Sequence, residues 1–180
     1  MTVDCCHVFS YTLVLKSKKE FFMAILKDCS SVPSNCEVEI NLKLVNEESV
    51  EFFIDFRSDP AFPDVHMEIA CLKRDFLKLL DDLQQINNAH LSMLETQDPG
   101  LCVYHIPQFG EYYYPDYGIL QIPENERDEW EPSYKLIFVL DAGFKNHLRA
   151  TGCGPSLCLI VKMEQINEFV DSLKSEVNSF

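Results

Sequence analysis

Basic side chains are scarce in this 180-residue chain: 15 lysines and arginines stand against 29 aspartates and glutamates, a formal net charge of −14. Phosphate binding runs on Lys and Arg, so the deficit disfavours nucleic acid and anionic membranes as direct partners. Long apolar runs are missing too. The longest, Phe21 to Leu26, falls far short of the ~20 residues that span a bilayer. The start, Met1-Thr2-Val3-Asp4-Cys5-Cys6-His7, has no basic cluster ahead of an apolar stretch, which argues against a secretory signal and for a cytoplasmic protein. Paired C-x-x-C spacing is also absent. The eight cysteines therefore form neither a zinc pattern nor a disulfide framework, and reduced thiols are the expectation.

Catalytic signatures are lacking in the same way. Thr151-Gly152-Cys153-Gly154-Pro155-Ser156 has the glycines of a phosphate-cradling loop. A strand-like run follows it, however, where such a loop needs a helix start, and no lysine follows the glycines. A turn explains these glycines better. The nearest approaches to a metal set are His147, Cys153 and Cys158, and Cys5, Cys6 and His7; neither has ligand spacing. His7, His66, His90, His105 and His147 are scattered, with no nucleophile elbow or thiol-activating helix start beside them. Asp81 and Asp82 fall on the wet face of a helix. The expectation is a protein with no catalytic residues, no metal and no cofactor.

What is present is architecture. Apolar residues at 47% and aromatics at 12% suffice for a proper core. A strand running straight into a helix occurs twice, as Met67–Leu72 into Lys73–Ile86 and as Leu157–Lys162 into Met163–Val177. At an offset of 90 residues, Met67, Ile69 and Cys71 fall on Leu157, Leu159 and Val161, in phase on one strand face. Phe76, Leu79, Leu80 and Leu83 fall on Ile166, Phe169, Val170 and Leu173, the spacing of one buried helical stripe. Residues 8–15 read as a strand. The capping-box spacing of Ser17-Lys18-Lys19-Glu20 ahead of Phe21, Phe22, Ile25 and Leu26 predicts a short helix, with a buried strand as the alternative. Val38, Ile40, Leu42 and Leu44 alternate with polar residues over 37–45, and Val50 to Phe56 returns after the turn at Asn46–Ser49. Leu91–Glu95, Leu101–Ile106 and Tyr134–Leu140 continue the strands, and Phe144–Cys153 reads as a single helical turn. The fold class is α+β: mostly antiparallel sheet in one domain, 1–180, built from two related meander-plus-helix halves, 1–90 and 91–180. One amphipathic helix is expected to close each half.

One region departs from this plan. Residues 107–133 hold Pro107, Pro115, Pro123 and Pro132, four of the seven tyrosines, the only tryptophan, and seven acids against one base. So long a connection in a compact domain is functional or disordered, and its aromatic content argues against disorder. Tyr and Trp supply rigid contact area with a polar tip, and carboxylates steer toward a cationic patch. The candidate partner-binding residues are Glu111, Tyr112, Tyr113, Tyr114, Asp116, Tyr117, Glu124, Glu126, Asp128, Glu129, Trp130 and Glu131. The competing reading is a hairpin or flap whose tyrosines cover the sheet.

An acidic chain without catalytic motifs, whose meanders are closed by amphipathic helices over Val38–Ile86 and Tyr134–Val177, resembles a bacterial immunity protein of contact-dependent growth inhibition and related polymorphic toxin systems. The resemblance implies a non-enzymatic antitoxin that binds a cognate basic toxin domain, often a nuclease. It makes the acidic, tyrosine-rich segment the inhibitory surface. Two other classes fit the sequence: a small hydrolase or transferase with a Cys/His site, and an adaptor or structural subunit pairing through a sheet edge.

Overall fold

The computed structural model describes residues 23–30, 34–58, 62–87, 92–96, 100–106, 110–114, 118–122, 133–141 and 154–180. The strand expected over 8–15 and the helical turn expected over 144–153 lie outside them. Among the described residues the chain forms two four-stranded antiparallel sheets, a two-stranded ribbon and two helices.

The first sheet is a plain meander of β1 (Met23–Lys27), β2 (Glu37–Val45), β3 (Ser49–Arg57) and β4 (Val65–Leu72), which runs into α1 (Lys73–Gln84). Periodicity alone builds most of it. Phe52, Ile54 and Phe56 alternate inward along β3, opposite Leu42, Ile40 and Val38 on β2 and beside Ile69, Met67 and Val65 on β4. The turn between β2 and β3 is closed by Asn46, whose Oδ1 accepts the backbone N–H groups of Glu48 at 2.9 Å and Ser49 at 2.8 Å.

Two expectations are corrected here. The apolar run at 21–26 is a strand from Met23 on, with Ala24 and Leu26 buried and Met23 exposed. A short apolar run carries helical and strand spacing equally well, and pairing with β2 decides it. Leu44 also breaks phase. A register shift between Leu42 and Leu44 turns Leu44 outward and brings Val45 opposite Val50, both buried.

The second half repeats the plan as β5 (Ser92–Glu95), β6 (Leu101–Ile106), β9 (Ser133–Leu140) and β10 (Ser156–Lys162), which runs into α2 (Met163–Ser179). The ribbon of β7 (Gly110–Tyr114) and β8 (Gly118–Ile122) comes between β6 and β9 in the chain. The sheet order is β10-β9-β6-β5, again a meander. Registers match strand for strand. Ile54 lies between Ile40 and Met67, and Phe138 lies between Val103 and Leu157. Inner-face residues of both sheets and both helix stripes join one buried cluster. Phe56 meets Phe138 across it at 6.5 Å, and Phe52 meets Phe76 at 5.1 Å.

The helices do not close one half each. α1 and α2 pack on each other; α1 also touches β5 of the second sheet, and α2 packs on β1 and β2 of the first. Their polar seam is an exchange of equivalent residues. Lys174 binds Asp81 at 2.5 Å, Gln84 Nε2 donates to Asp171 at 3.0 Å, and Lys174 donates to Gln84 at 2.7 Å. At the offset of 90, Asp81 corresponds to Asp171 and Gln84 to Lys174, so the contacts relate as they would about a two-fold axis.

Where β1 ends, the two sheets are latched. Cys29 N–H donates to Ile160 O at 2.7 Å and Ile160 N–H donates to Asp28 Oδ1 at 2.8 Å. Ser34 donates to Asp28 Oδ2 at 2.6 Å and Ser30 donates to the same oxygen. Partial burial works to raise the Asp28 pKa, but the donors from Ser30, Ser34 and Ile160 together hold it below the ordinary value of 3.8. A lowered carboxylate pKa contributes stability above its unfolded value, and that stability is lost as pH falls through the folded value. Asp28→Ala should therefore cost about 2 kcal/mol at pH 7. Urea unfolding of wild type and variant should converge as the solution is acidified below pH 3.8; a gap independent of pH would show that the latch does not act through its charge.

Candidate partner-binding surface

The segment holding the predicted contact residues sits at one defined place. In the first half β2 and β3 are joined by Asn46, Glu47 and Glu48 alone. The corresponding junction of the second half, from β6 to β9, spans residues 107–132. The offset between matched residues grows from 63, relating Ile40 to Val103, to 84, relating Ile54 to Phe138. The acidic, aromatic stretch is thus an insertion into a hairpin turn. It leaves at Ile106, returns at Ser133, and does not interrupt the β6–β9 pairing from Leu101 to Ile106.

Glu111, Tyr112, Tyr113 and Tyr114 lie on β7, opposite Gln121, Leu120, Ile119 and Gly118 of β8. Asp116, Tyr117, Glu124, Glu126, Asp128, Glu129, Trp130 and Glu131 lie outside the described residues.

The outer faces of the two sheets differ sharply in chemistry. On the first sheet Arg57 binds Glu37 at 3.1 Å and Glu39 at 2.5 Å, Lys27 binds Glu37 at 3.3 Å, and Lys43 joins Glu51 at 3.6 Å and also Glu68. His66 Nδ1 lies 2.6 Å from Asp55 and its ring stacks on Phe53 at 5.1 Å. At the matched positions of the second sheet, Cys102 replaces Glu39, Tyr104 replaces Asn41, Val139 replaces Asp55, and Cys158 replaces Glu68. Met93, 54% exposed, lies in the same row as Tyr104, Ile137 and Cys158. The sequence reading missed this apolar outer face. Its signal was present: β6 and β9 carry too few polar residues to give one wet face.

Three of the described cysteines, Cys29, Cys102 and Cys158, have raised thiol pKa values. Burial, reinforced by Asp28, pushes the Cys29 thiol up; burial pushes up Cys102, with Glu95 and Asp141 adding to it. Cys158 is raised by burial against the opposing charge of Lys135. A raised pKa leaves less thiolate at neutral pH, the reverse of an activated cysteine. His105 is fully buried in the second sheet with Tyr134 at 5.8 Å between rings. Among the described residues no cluster of three or more His, Cys, Asp or Glu could hold a metal ion. No helix among them is long and apolar enough to cross a membrane.

The chain matches no protein-family model, no curated protein and no solved structure.

Because β6 and β9 pair as β2 and β3 do, the core should not need the insertion. Replacing residues 107–132 with the Asn46-Glu47-Glu48 turn should leave the far-ultraviolet circular dichroism of the sheets and a single cooperative melt. A chain that fails to fold cooperatively after this exchange would show that the segment is part of the core.

Proposed function

We propose that this protein is a non-enzymatic immunity protein, an inhibitor that binds and occludes a basic partner such as a toxin nuclease domain in the cytoplasm. The observation that carries the reading is the insertion. A hairpin turn that three residues complete in one half is expanded in the other by a stretch holding seven acids, four tyrosines and the only tryptophan. Extra chain at a turn the core can close without it is the usual place for binding residues on a rigid scaffold.

The mechanism follows from the chemistry of a nuclease groove, which is lined with cations for phosphate. Carboxylates at Glu111, Asp116, Glu124, Glu126, Asp128, Glu129 and Glu131 present negative charge where phosphates would lie. They speed encounter by steering, an effect that weakens with salt. Tyr112, Tyr113, Tyr114, Tyr117 and Trp130 act as anchors, because such rings contribute the largest truncation costs at interfaces. No cofactor takes part.

The test is what co-purifies with the protein from its native cell, followed by co-expression with that partner. Reversing Glu124, Glu126, Asp128, Glu129 and Glu131 together to lysine should slow association at least tenfold at low salt and abolish protection from the toxin. Truncating Trp130 to alanine should cost about 2 kcal/mol of affinity, read by calorimetry. A complex equally tight and equally fast-forming after these changes would remove the basis of the reading.

A further inference from the structure

Among the described residues β1 is the edge strand of its sheet, and its register shows which backbone groups point away from β2. Asp28 N–H bonds Cys36 O, directly opposite in the β1–β2 register. Alternation then places the β2-facing groups at Leu26 and Ala24 and turns those of Lys27, Ile25 and Met23 outward. Two neighbours confirm the direction. Gln165 Nε2 of α2 donates to Lys27 O at 3.1 Å, and Cys29 N–H reaches Ile160 of β10. Beyond these, the outward N–H and C=O of Ile25 and the C=O of Met23 make no hydrogen bond among the described residues.

This open edge borders a groove of about 390 Å³ lined by Met23, Ile25, Gln165, Glu168, Phe169 and Ser172. Its floor is apolar at Phe169, which is buried, and its rim is polar along α2. Lys27 at one end is already paired with Glu37. Glu168 is exposed and has no ion pair among the described residues. The groove therefore offers backbone donors and acceptors at strand spacing, an apolar floor and one uncompensated carboxylate.

We propose that this groove takes an extended, lysine- or arginine-bearing segment of a partner protein by strand addition to β1. Only another backbone in extended form can match Ile25's outward N–H and C=O together. The free Glu168 carboxylate, set in the lining of the groove, selects a cationic side chain on the face toward α2. The proposal rests on the reading of the protein as a binder of a basic partner and names a second contact for that partner, away from the insertion in the chain. Main-chain pairing supplies affinity; the apolar floor and Glu168 supply sequence preference.

The experiment pans a phage-displayed library of linear dodecapeptides against the full chain. Winners should alternate apolar residues with Lys or Arg, and a synthetic winner N-methylated at alternate residues should bind at least tenfold more weakly by fluorescence anisotropy. Ile25→Pro removes the outward N–H and no β1–β2 hydrogen bond, so it should weaken binding tenfold with an unchanged melting temperature. Glu168→Lys, on the exposed face of α2, should lose the preference for cationic peptides. The five-lysine insertion variant should bind the peptide as wild type does, which separates this inference from the proposed function. Three results would overturn it: a library that enriches nothing over bare support, winners that bind Ile25→Pro as tightly as wild type, or winners that bind only after residues 1–22 are deleted, since the chain itself would then fill the groove.

Discussion

Everything else in the molecule hangs on the way the two helices lie together across both sheets. Each carries an apolar stripe, Phe76, Leu79, Leu80 and Leu83 on α1 and Ile166, Phe169, Val170 and Leu173 on α2, all buried. Burial is worth roughly 1.5–3 kcal/mol per side chain, whereas an ion pair such as Lys174 with Asp81 is worth about 0–1. The stripes therefore supply the stability. The polar seam sets alignment, because Lys174–Asp81 and Gln84–Asp171 form together only at one register. By touching strands of the opposite half, each helix makes the two meanders depend on each other. The Asp28 latch at the end of β1 acts in the same direction, joining Cys29 to Ile160 without extending either sheet into the other.

That mutual dependence explains why chemistry varies where it does. Inner faces of matched strands are apolar in both halves except at His105, which stands where Leu42 does, and their apolar residues meet in one cluster. Outer faces and turns are under no such constraint. Glu39 and Asp55 on one sheet become Cys102 and Val139 on the other, and a three-residue turn becomes a 26-residue connection. The places where two halves of shared register differ most are the places the core leaves free, and these are where a binding surface can be built at little cost in stability.

How far the sequence alone led follows the same division. Both strand-into-helix units were legible because periods of two and 3.6 are local and unambiguous over a dozen residues or more. The run at 21–26 was not, because Phe21, Phe22, Ile25 and Leu26 satisfy helical spacing over too short a stretch, and the deciding term is long-range pairing with β2. Leu44 was misplaced because one extra residue at the bulge inverts phase, and no residue type marks it. The crossing of helices between halves was invisible for a further reason: an amphipathic stripe states that a face is buried, not against what. The open β1 edge and its groove with α2 were equally hidden, since which backbone groups face outward depends on register. The candidate surface itself rests on composition, which needs no geometry at all.

Charge then decides how the two proposed contacts divide their work. Of the net −14, −6 sits in residues 107–133, so nearly half the imbalance is held by the connection between β6 and β9. Were these carboxylates to face solvent, as the proposed function requires, they would raise the rate of encounter far more than they hold a complex together, because salt at physiological strength screens them beyond about 8 Å. A strand added at β1 behaves in the opposite way. Its hydrogen bonds form only at contact and only with an extended backbone, so they contribute to the lifetime of a complex and little to its approach. A surface that draws in a cationic protein but must release wrong ones needs both kinds of contact, a diffuse one that is fast and a directional one that is selective.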